Sequence, residues 1–335
     1  MFDLVETRLI ASLPNNNMES LIPLILLAVG FAALIIGADK LVDGATSVGV
    51  RAKLSPLVIG LTIVAFGTSL PEMIVNIFSC AKGSPGLAIG NIIGSNTMNI
   101  LLILGVSSII WPNNVSRVSI TRDIPVALFA TLVITLMANN FFRGTGSVVS
   151  WREGIILLLF GLAYFVLTFL KNDPIEDAEE VQEPMSWGKT ILFLVIGIAG
   201  LDLGGELVSR NAQILALNWG MSESTVGLTV VATATSLPEL ITSVVAATKK
   251  NSGIAIGNVL GSNIINIFMV LGVSALITPL PFDPKMNQQL IILFAANLLM
   301  FLFVFTGKGR MISRWEGAIL TLGYVGFMWF SLAMQ

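Results

Sequence analysis

LTIVAFGTSLPE, Leu61 to Glu72, returns at a constant offset of 167 residues as LTVVATATSLPE, Leu228 to Glu239. A second block keeps the same offset: AIGNIIGSNTMNI, Ala88 to Ile100, falls on AIGNVLGSNIINI, Ala255 to Ile267. From Gly60 to Ser107, 26 of 48 positions are identical to their partners without a gap. Apolar composition alone does not align threonines, serines, asparagines and a glutamate. The chain is therefore an internal duplication.

The composition sets what is duplicated. Of 335 residues, 55% are hydrophobic and 11% are charged, against about 25% charged in soluble domains. Apolar runs long enough to cross a bilayer, roughly 20 residues, recur along the chain. They predict an all-α integral membrane protein with ten transmembrane helices, near 22–42, 57–80, 87–110, 122–142, 153–170, 189–209, 224–247, 254–277, 287–306 and 316–334. The first and sixth are expected to run on toward Val50 and Leu217. Five spans per half is an odd number, so the second half enters the membrane from the opposite side. The halves, 22–170 and 189–335, are expected to be inverted repeats with a substrate site near the midplane where they meet. Residues 1–21 read as an external N-terminal arm. Residues 171–188, with Asp173, Glu176, Asp177, Glu179, Glu180 and Glu183, read as a solvated acidic cytoplasmic linker without EF-hand spacing.

Charge sets orientation and excludes partners. Loops opposite the termini carry Arg51, Lys53, Arg117, Arg122, Lys171, Lys189, Lys249, Lys250, Lys308, Arg310 and Arg314. The termini side carries Arg8, Lys82, Arg143, Arg152, Arg210 and Lys285. The positive-inside rule then places both termini outside the cytoplasm of a multi-pass cell-membrane protein. A net charge of −2 offers no basic patch for nucleic acid. Cys80 is the single cysteine, and there is no histidine, which removes the commonest zinc ligand and the usual proton carrier near neutral pH.

Glu72 and Glu239 fall inside apolar spans, where an ionisable group is costly and marks function by default. Neither has a lysine or arginine within seven residues in sequence. Each follows a proline, Pro71 or Pro238, which removes a backbone N–H and breaks or kinks a helix. Ala65, Thr68, Ser69 and Glu72 share one helical stripe, and Ala232, Thr235, Ser236 and Glu239 repeat it. Ser95 with Asn99, and Ser262 with Asn266, follow at i, i+4. Gly90 with Gly94, and Gly257 with Gly261, are packing pairs that let backbones approach. Asn91, Asn96, Asn258 and Asn263 are also duplicated, but spacing alone does not assign them to the cavity. The set is carboxylate, amide, hydroxyl and carbonyl oxygen, which suits calcium, sodium, magnesium or manganese.

GTSLPE with GSNTMN, and ATSLPE with GSNIIN, resemble the two alpha repeats of the calcium/cation antiporter superfamily, in its microbial sodium/calcium exchanger branch. The resemblance covers the entire chain. It implies alternating access, with sodium entry driving calcium efflux. It also implies ion ligands at the side chains of Thr68, Ser69, Glu72, Ser95, Thr235, Ser236, Glu239 and Ser262, and at the carbonyls of Ala65, Thr68, Ala232 and Thr235. The midline positions are Asn99 and Asn266, and many relatives have aspartate at the second. Two amides leave two formal charges rather than three, which argues against potassium dependence and for weaker sodium binding. The acidic motif with a following histidine, usual in the proton-coupled branch, is absent, as is a large calcium-sensing loop. The expected partners are calcium and sodium ions and the lipid bilayer, with no cofactor, no catalysis and no obligatory protein partner. A proton-coupled antiporter, or one for another divalent cation such as manganese, is the alternative. A passive channel fits inverted repeats around a midplane site less well.

Overall fold

The computed structural model describes residues 18–139, 147–170, 183–221, 232–306 and 309–333. Helix α1 spans Met18–Ala52, α2 Pro56–Thr68, α3 Leu70–Ala81, α4 Gly86–Ile110, α5 Ser119–Ala138 and α6 Trp151–Leu170. In the second half, α7 spans Trp187–Asn218, α8 Ala232–Thr235, α9 Leu237–Thr248, α10 Ser252–Ile277, α11 Pro284–Phe303 and α12 Arg314–Ala333. Among the described residues seven helices are long and apolar enough to cross a bilayer, eight if α2 and α3 count as one bent span. α9 is a shorter apolar helix.

Several expectations are refined. α1 and α7 do run on, to Ala52 and Asn218. The helix begins at Met18, so 18–21 belong to α1 rather than to the expected arm; residues 1–17 lie outside the described residues. Of the expected acidic linker, 171–182 lies outside them too, and α7 already starts at Trp187, where Ser186 caps it by accepting from Lys189 N. The opening of the seventh span, 222–231, is likewise not described.

Burial sorts the helices into layers. In the most apolar window of α4 and of α10, 78% of residues are buried, against 28–44% for the other bilayer-length helices. These two form the centre, with α2 seated on α10. Gly257 and Gly261 make that contact possible: a Cβ at 257 would meet Leu57 O at 2.7 Å, and one at 261 would meet Ala65 Cβ and Leu61 O at 2.7 Å each. The segment that the repeat sets against Gly90 and Gly94 falls within 222–231. α1 and α7, 35 and 32 residues long, pack along each other outside this centre. At about 1.5 Å per residue they reach roughly 50 Å, beyond the ~30 Å hydrocarbon layer, so they tilt or protrude.

Two short ribbons close the bundle. β1 (Asn113–Asn114) pairs antiparallel with β4 (Met311–Ile312), and β2 (Val148–Val149) with β3 (Leu280–Pro281). Lys250 Nζ sits over the Trp111 ring, 4.7 Å from its centroid. Arg51 donates to Met185 O. Loops expected on one side of the membrane therefore meet one another. Two further buried acids have local roles. Glu153 accepts from Ser150 N at 2.7 Å, and Glu316 from Ser313 N at 2.6 Å. Each closes the first turn of its helix as the glutamate of a capping box.

The close approach at Gly261 predicts that Gly261→Val destabilises the protein by on the order of 1–3 kcal/mol, the cost of overpacking. Gly323→Ala, whose Cβ would meet Leu101 at an ordinary 3.5 Å, leaves stability near native. Melting of the two variants in detergent checks both.

Candidate cation-binding site

The site begins where two helices break. α2 ends at Thr68 and α3 starts at Leu70, bent by 43°. Between them Ser69 adopts φ −84°, ψ 2°, and Ser236 between α8 and α9 adopts φ −96°, ψ 9°. Pro71 and Pro238 lie in the first turn of the following helix, where a missing N–H costs no helical bond. The expected stripe of Ala65, Thr68, Ser69 and Glu72 is thus not one straight helix face. It lies on both sides of a break, because proline cannot continue the helix behind it. The break leaves Glu72 and Glu239 in a first turn, the helix end whose dipole favours an anion. Both carboxylates are fully buried.

The two breaks face each other across the repeat. Ser69 donates to Glu239 Oε1 at 3.1 Å, and Ser236 donates to Glu72 Oε1 at 3.4 Å. Thr68 donates to Asn258 Oδ1 at 3.1 Å and lies 3.4 Å from Ser262 Oγ. Thr235 donates to Asn91 Oδ1 at 3.5 Å. In the centre, Asn96 Nδ2 donates to Asn263 O at 3.1 Å, and Asn263 Nδ2 to Asn96 O at 3.2 Å. Asn99 Nδ2 donates to Asn263 Oδ1 at 2.9 Å, and Asn266 Nδ2 to Asn96 Oδ1 at 3.1 Å. The serine–glutamate, threonine–asparagine and central asparagine bonds each have a counterpart from the other half, as a two-fold relation would give; the Thr68–Ser262 contact has none among the described residues.

These bonds leave a particular set of atoms over. Glu72 Oε2, Glu239 Oε2, Ser95 Oγ, Asn99 Oδ1 and Asn266 Oδ1 are buried and have no hydrogen-bond partner. All belong to residues that the sequence marks as ligands. An unpartnered buried polar atom is costly; four of these five oxygens pair across the repeat, while Ser262, the counterpart of Ser95, lies against Thr68, and all five are of the kind a cation takes. The donor chemistry is hard oxygen with two carboxylates. With no histidine and one cysteine in the sequence, an all-oxygen set suits sodium or calcium better than zinc.

The other marked residues fall as follows. Ala65 O already accepts from Ser69 N at 3.0 Å and Thr68 Oγ1 at 3.2 Å. Ala232 opens α8, which packs against α4, the helix of Ser95. Ser262 is fully buried on α10. Asn99 and Asn266 each begin a π-helical turn, Asn99–Ile103 and Asn266–Val270, a distortion frequent at functional sites. α9 packs against the first of these turns and α3 against the second. Spacing did not assign Asn91, Asn96, Asn258 and Asn263 to the cavity, yet they hold the centre together. Their duplication at the constant offset was the available signal.

Residues 22–170 and 189–333 match the family model described as sodium/calcium exchanger protein. The chain belongs to that family. It is 35% identical to the putative antiporter CaxA of Alkalimonas amylolytica over 92% of this chain and 98% of that one. It is 30% identical to the sodium/calcium exchanger MaX1 of Methanosarcina acetivorans over 91% of this chain and 97% of that one. A solved structure of the sodium-calcium exchanger NCX_Mj, soaked with zero Na+ and Ca2+, superimposes with a TM-score of 0.77 at 33% identity, covering 91% of this chain and 97% of that one. This member of the exchanger family is accordingly a multi-pass membrane antiporter.

The amide at 266 generates a prediction. A carboxylate there cannot donate to Asn96 Oδ1, and it adds a third charge beside the two glutamates. At ~4 Å and an effective dielectric of ~20 a unit charge interacts with a cation by roughly 4 kcal/mol. Asn266→Asp is expected to keep the fold, to make ion binding more pH-dependent, and to tighten sodium binding relative to Asn266→Ala. Sodium inhibition of calcium binding, titrated from about pH 6 to 8 where a carboxyl among like charges can titrate, checks this.

Proposed function

We propose that this protein exchanges sodium for calcium by alternating access, sodium influx driving calcium efflux through one oxygen-lined site at the midplane. The observation that carries the reading is the pair of buried glutamates, each bonded to a serine of the opposite half. In this reading the ligands are the side chains of Thr68, Ser69, Glu72, Ser95, Thr235, Ser236, Glu239 and Ser262, with the carbonyls of Ala65, Thr68, Ala232 and Thr235. Asn99 and Asn266 supply midline amide oxygens. Two carboxylates match the charge of one calcium ion, and the remaining oxygens supply the six to eight flexible contacts that calcium takes.

The same reading gives the chain ten crossings in two inverted five-helix halves, 22–170 and 189–335. Both termini lie outside the cytoplasm of the cell membrane, and the acidic linker 171–188 lies inside. The supports are the odd number of segments per repeat, the lysine and arginine bias, and the ribbons that join loops assigned to one side. Coupling to sodium rather than to protons rests on the relatives' printed names and on the absence of histidine.

Calcium-45 uptake into sodium-loaded proteoliposomes tests the function directly. Uptake is expected to need the outward sodium gradient; uptake driven equally by a proton gradient without sodium favours the proton-coupled alternative. Glu239→Ala and Glu72→Ala should each abolish exchange in a folded protein. Normal exchange in either variant removes the site assignment. With three sodium ions per calcium, the ratio that the family resemblance implies, each cycle moves one charge, and 100 mV contributes about 2.3 kcal/mol. A potassium–valinomycin potential should then change the rate, and indifference to it marks electroneutral exchange.

A further inference from the structure

The two-fold arrangement is broken one layer behind the glutamates. Asn258 and Asn91 are equivalent by the repeat, and each accepts a threonine hydroxyl from the opposite half. Their amide nitrogens are anchored differently. Asn258 Nδ2 donates to the backbone carbonyl of Glu239 at 3.2 Å and to Ser243 Oγ at 2.9 Å. Asn91 Nδ2 donates to Asn76 Oδ1 at 3.0 Å, and it makes no bond to the carbonyl of Glu72 among the described residues.

The cause lies at the position behind. At the constant offset, Asn76 stands where the second half has Ser243. Both are buried. A serine hydroxyl is short, so Asn258 can reach it and the Glu239 carbonyl together. The longer amide of Asn76 offers its oxygen farther out, and its own Nδ2 is left buried without a partner. The consequence appears one bond nearer the ions. Thr68 is held by the fully buried Asn258 at 3.1 Å, whereas Thr235 is held by the half-buried Asn91 at 3.5 Å.

We infer that Asn76 is a positioning residue that makes the two symmetric cation subsites unequal. It draws Asn91 away from Glu72, so the subsite of Thr235, Ser236 and Glu72 binds its cation more weakly than the subsite of Thr68, Ser69 and Glu239. The inference rests on the proposed ion site. It concerns sodium more than calcium, since a divalent ion shared between both glutamates depends on both subsites at once, whereas a monovalent ion in one subsite depends on that subsite's own oxygens.

Equilibrium binding of calcium-45 to the purified full-length protein, with sodium titrated as competitor, tests it. In Asn76→Ser the first half takes the second half's residue. The sodium concentration for half-displacement should fall by about two- to tenfold, the range one net hydrogen bond commands. Calcium affinity without sodium should change by less than sodium affinity does, and the melting temperature should stay at its native value. Ser243→Asn is expected to move half-displacement the other way, and it carries the test alone where Asn76→Ser does not fold. Native sodium curves in both variants overturn the inference, as does an equal shift of sodium and calcium affinity, which indicates packing only. Glu239→Ala separates the failures: lost calcium binding in that variant leaves the site reading standing, and normal binding removes the site and the inference together.

Discussion

Two carboxylates sit at the centre of a lipid-embedded bundle with no basic residue close in sequence, and the rest of the architecture follows from making that tolerable. A charge in such surroundings is stabilised only by pairing, by hydrogen bonds or by a bound ion. In the proposed reading the chain uses the means that leave room for an ion. Each glutamate begins a helix, where the backbone dipole favours it. Each takes one serine hydroxyl across the repeat, on one oxygen only. The second oxygen of each is buried and unpartnered. A basic partner would have satisfied the acids permanently and closed the site to exchangeable cations. Asp123 shows that contrast within the same protein: it is buried as well, but Arg122 Nε lies 2.7 Å away and Tyr164 donates to it at 3.1 Å.

Bringing the glutamates opposite each other requires two halves to meet at backbone distance. Gly257 and Gly261 permit it on one side, where any Cβ would run into α2. The asparagines then lock the register. Asn96 and Asn263 exchange bonds to each other's carbonyls and accept from Asn266 and Asn99. Sliding one half by a residue breaks all four bonds. Interhelical hydrogen bonds in membranes contribute about 0.6 kcal/mol each on average, so the network matters for register more than for sheer stability.

The sequence made much of this legible, and the failures have physical reasons. The constant offset exposed the duplication, the glutamates and the hydroxyl positions, because a repeat carries its polar residues along with its apolar ones. The uniform helical wheel failed at Ser69, where the helix breaks, and after Asn99 and Asn266, where π turns change the rotation per residue. Asn96 and Asn263 could not be assigned because their partners are each other, in opposite halves, and one-dimensional spacing holds no information about which faces meet. Met18 to Leu21 joined α1 rather than an arm because a helix end frays where polarity changes gradually, and composition gives no sharp stop.

Charge arithmetic links the amides to the choice of ions. Two glutamates neutralise one calcium ion or two sodium ions. A third sodium leaves the loaded site with one net positive charge, and charge at membrane depth is expensive. A carboxylate at 266 would offset that charge, but it would also point a second acceptor at Asn96 Oδ1, which now receives the Asn266 amide at 3.1 Å. Turning the Asn96 amide over to greet the carboxylate would withdraw its nitrogen from Asn263 O and break the reciprocal pair. Charge at 266 and the central asparagine lock therefore compete for the same atoms. This chain keeps the lock with a neutral donor on each side, Asn99 and Asn266, and leaves one amide oxygen of each buried without a hydrogen-bond partner, as is one oxygen of each glutamate. In the proposed reading, one calcium ion or two sodium ions then match the charge of the site, and a third sodium exceeds it by one.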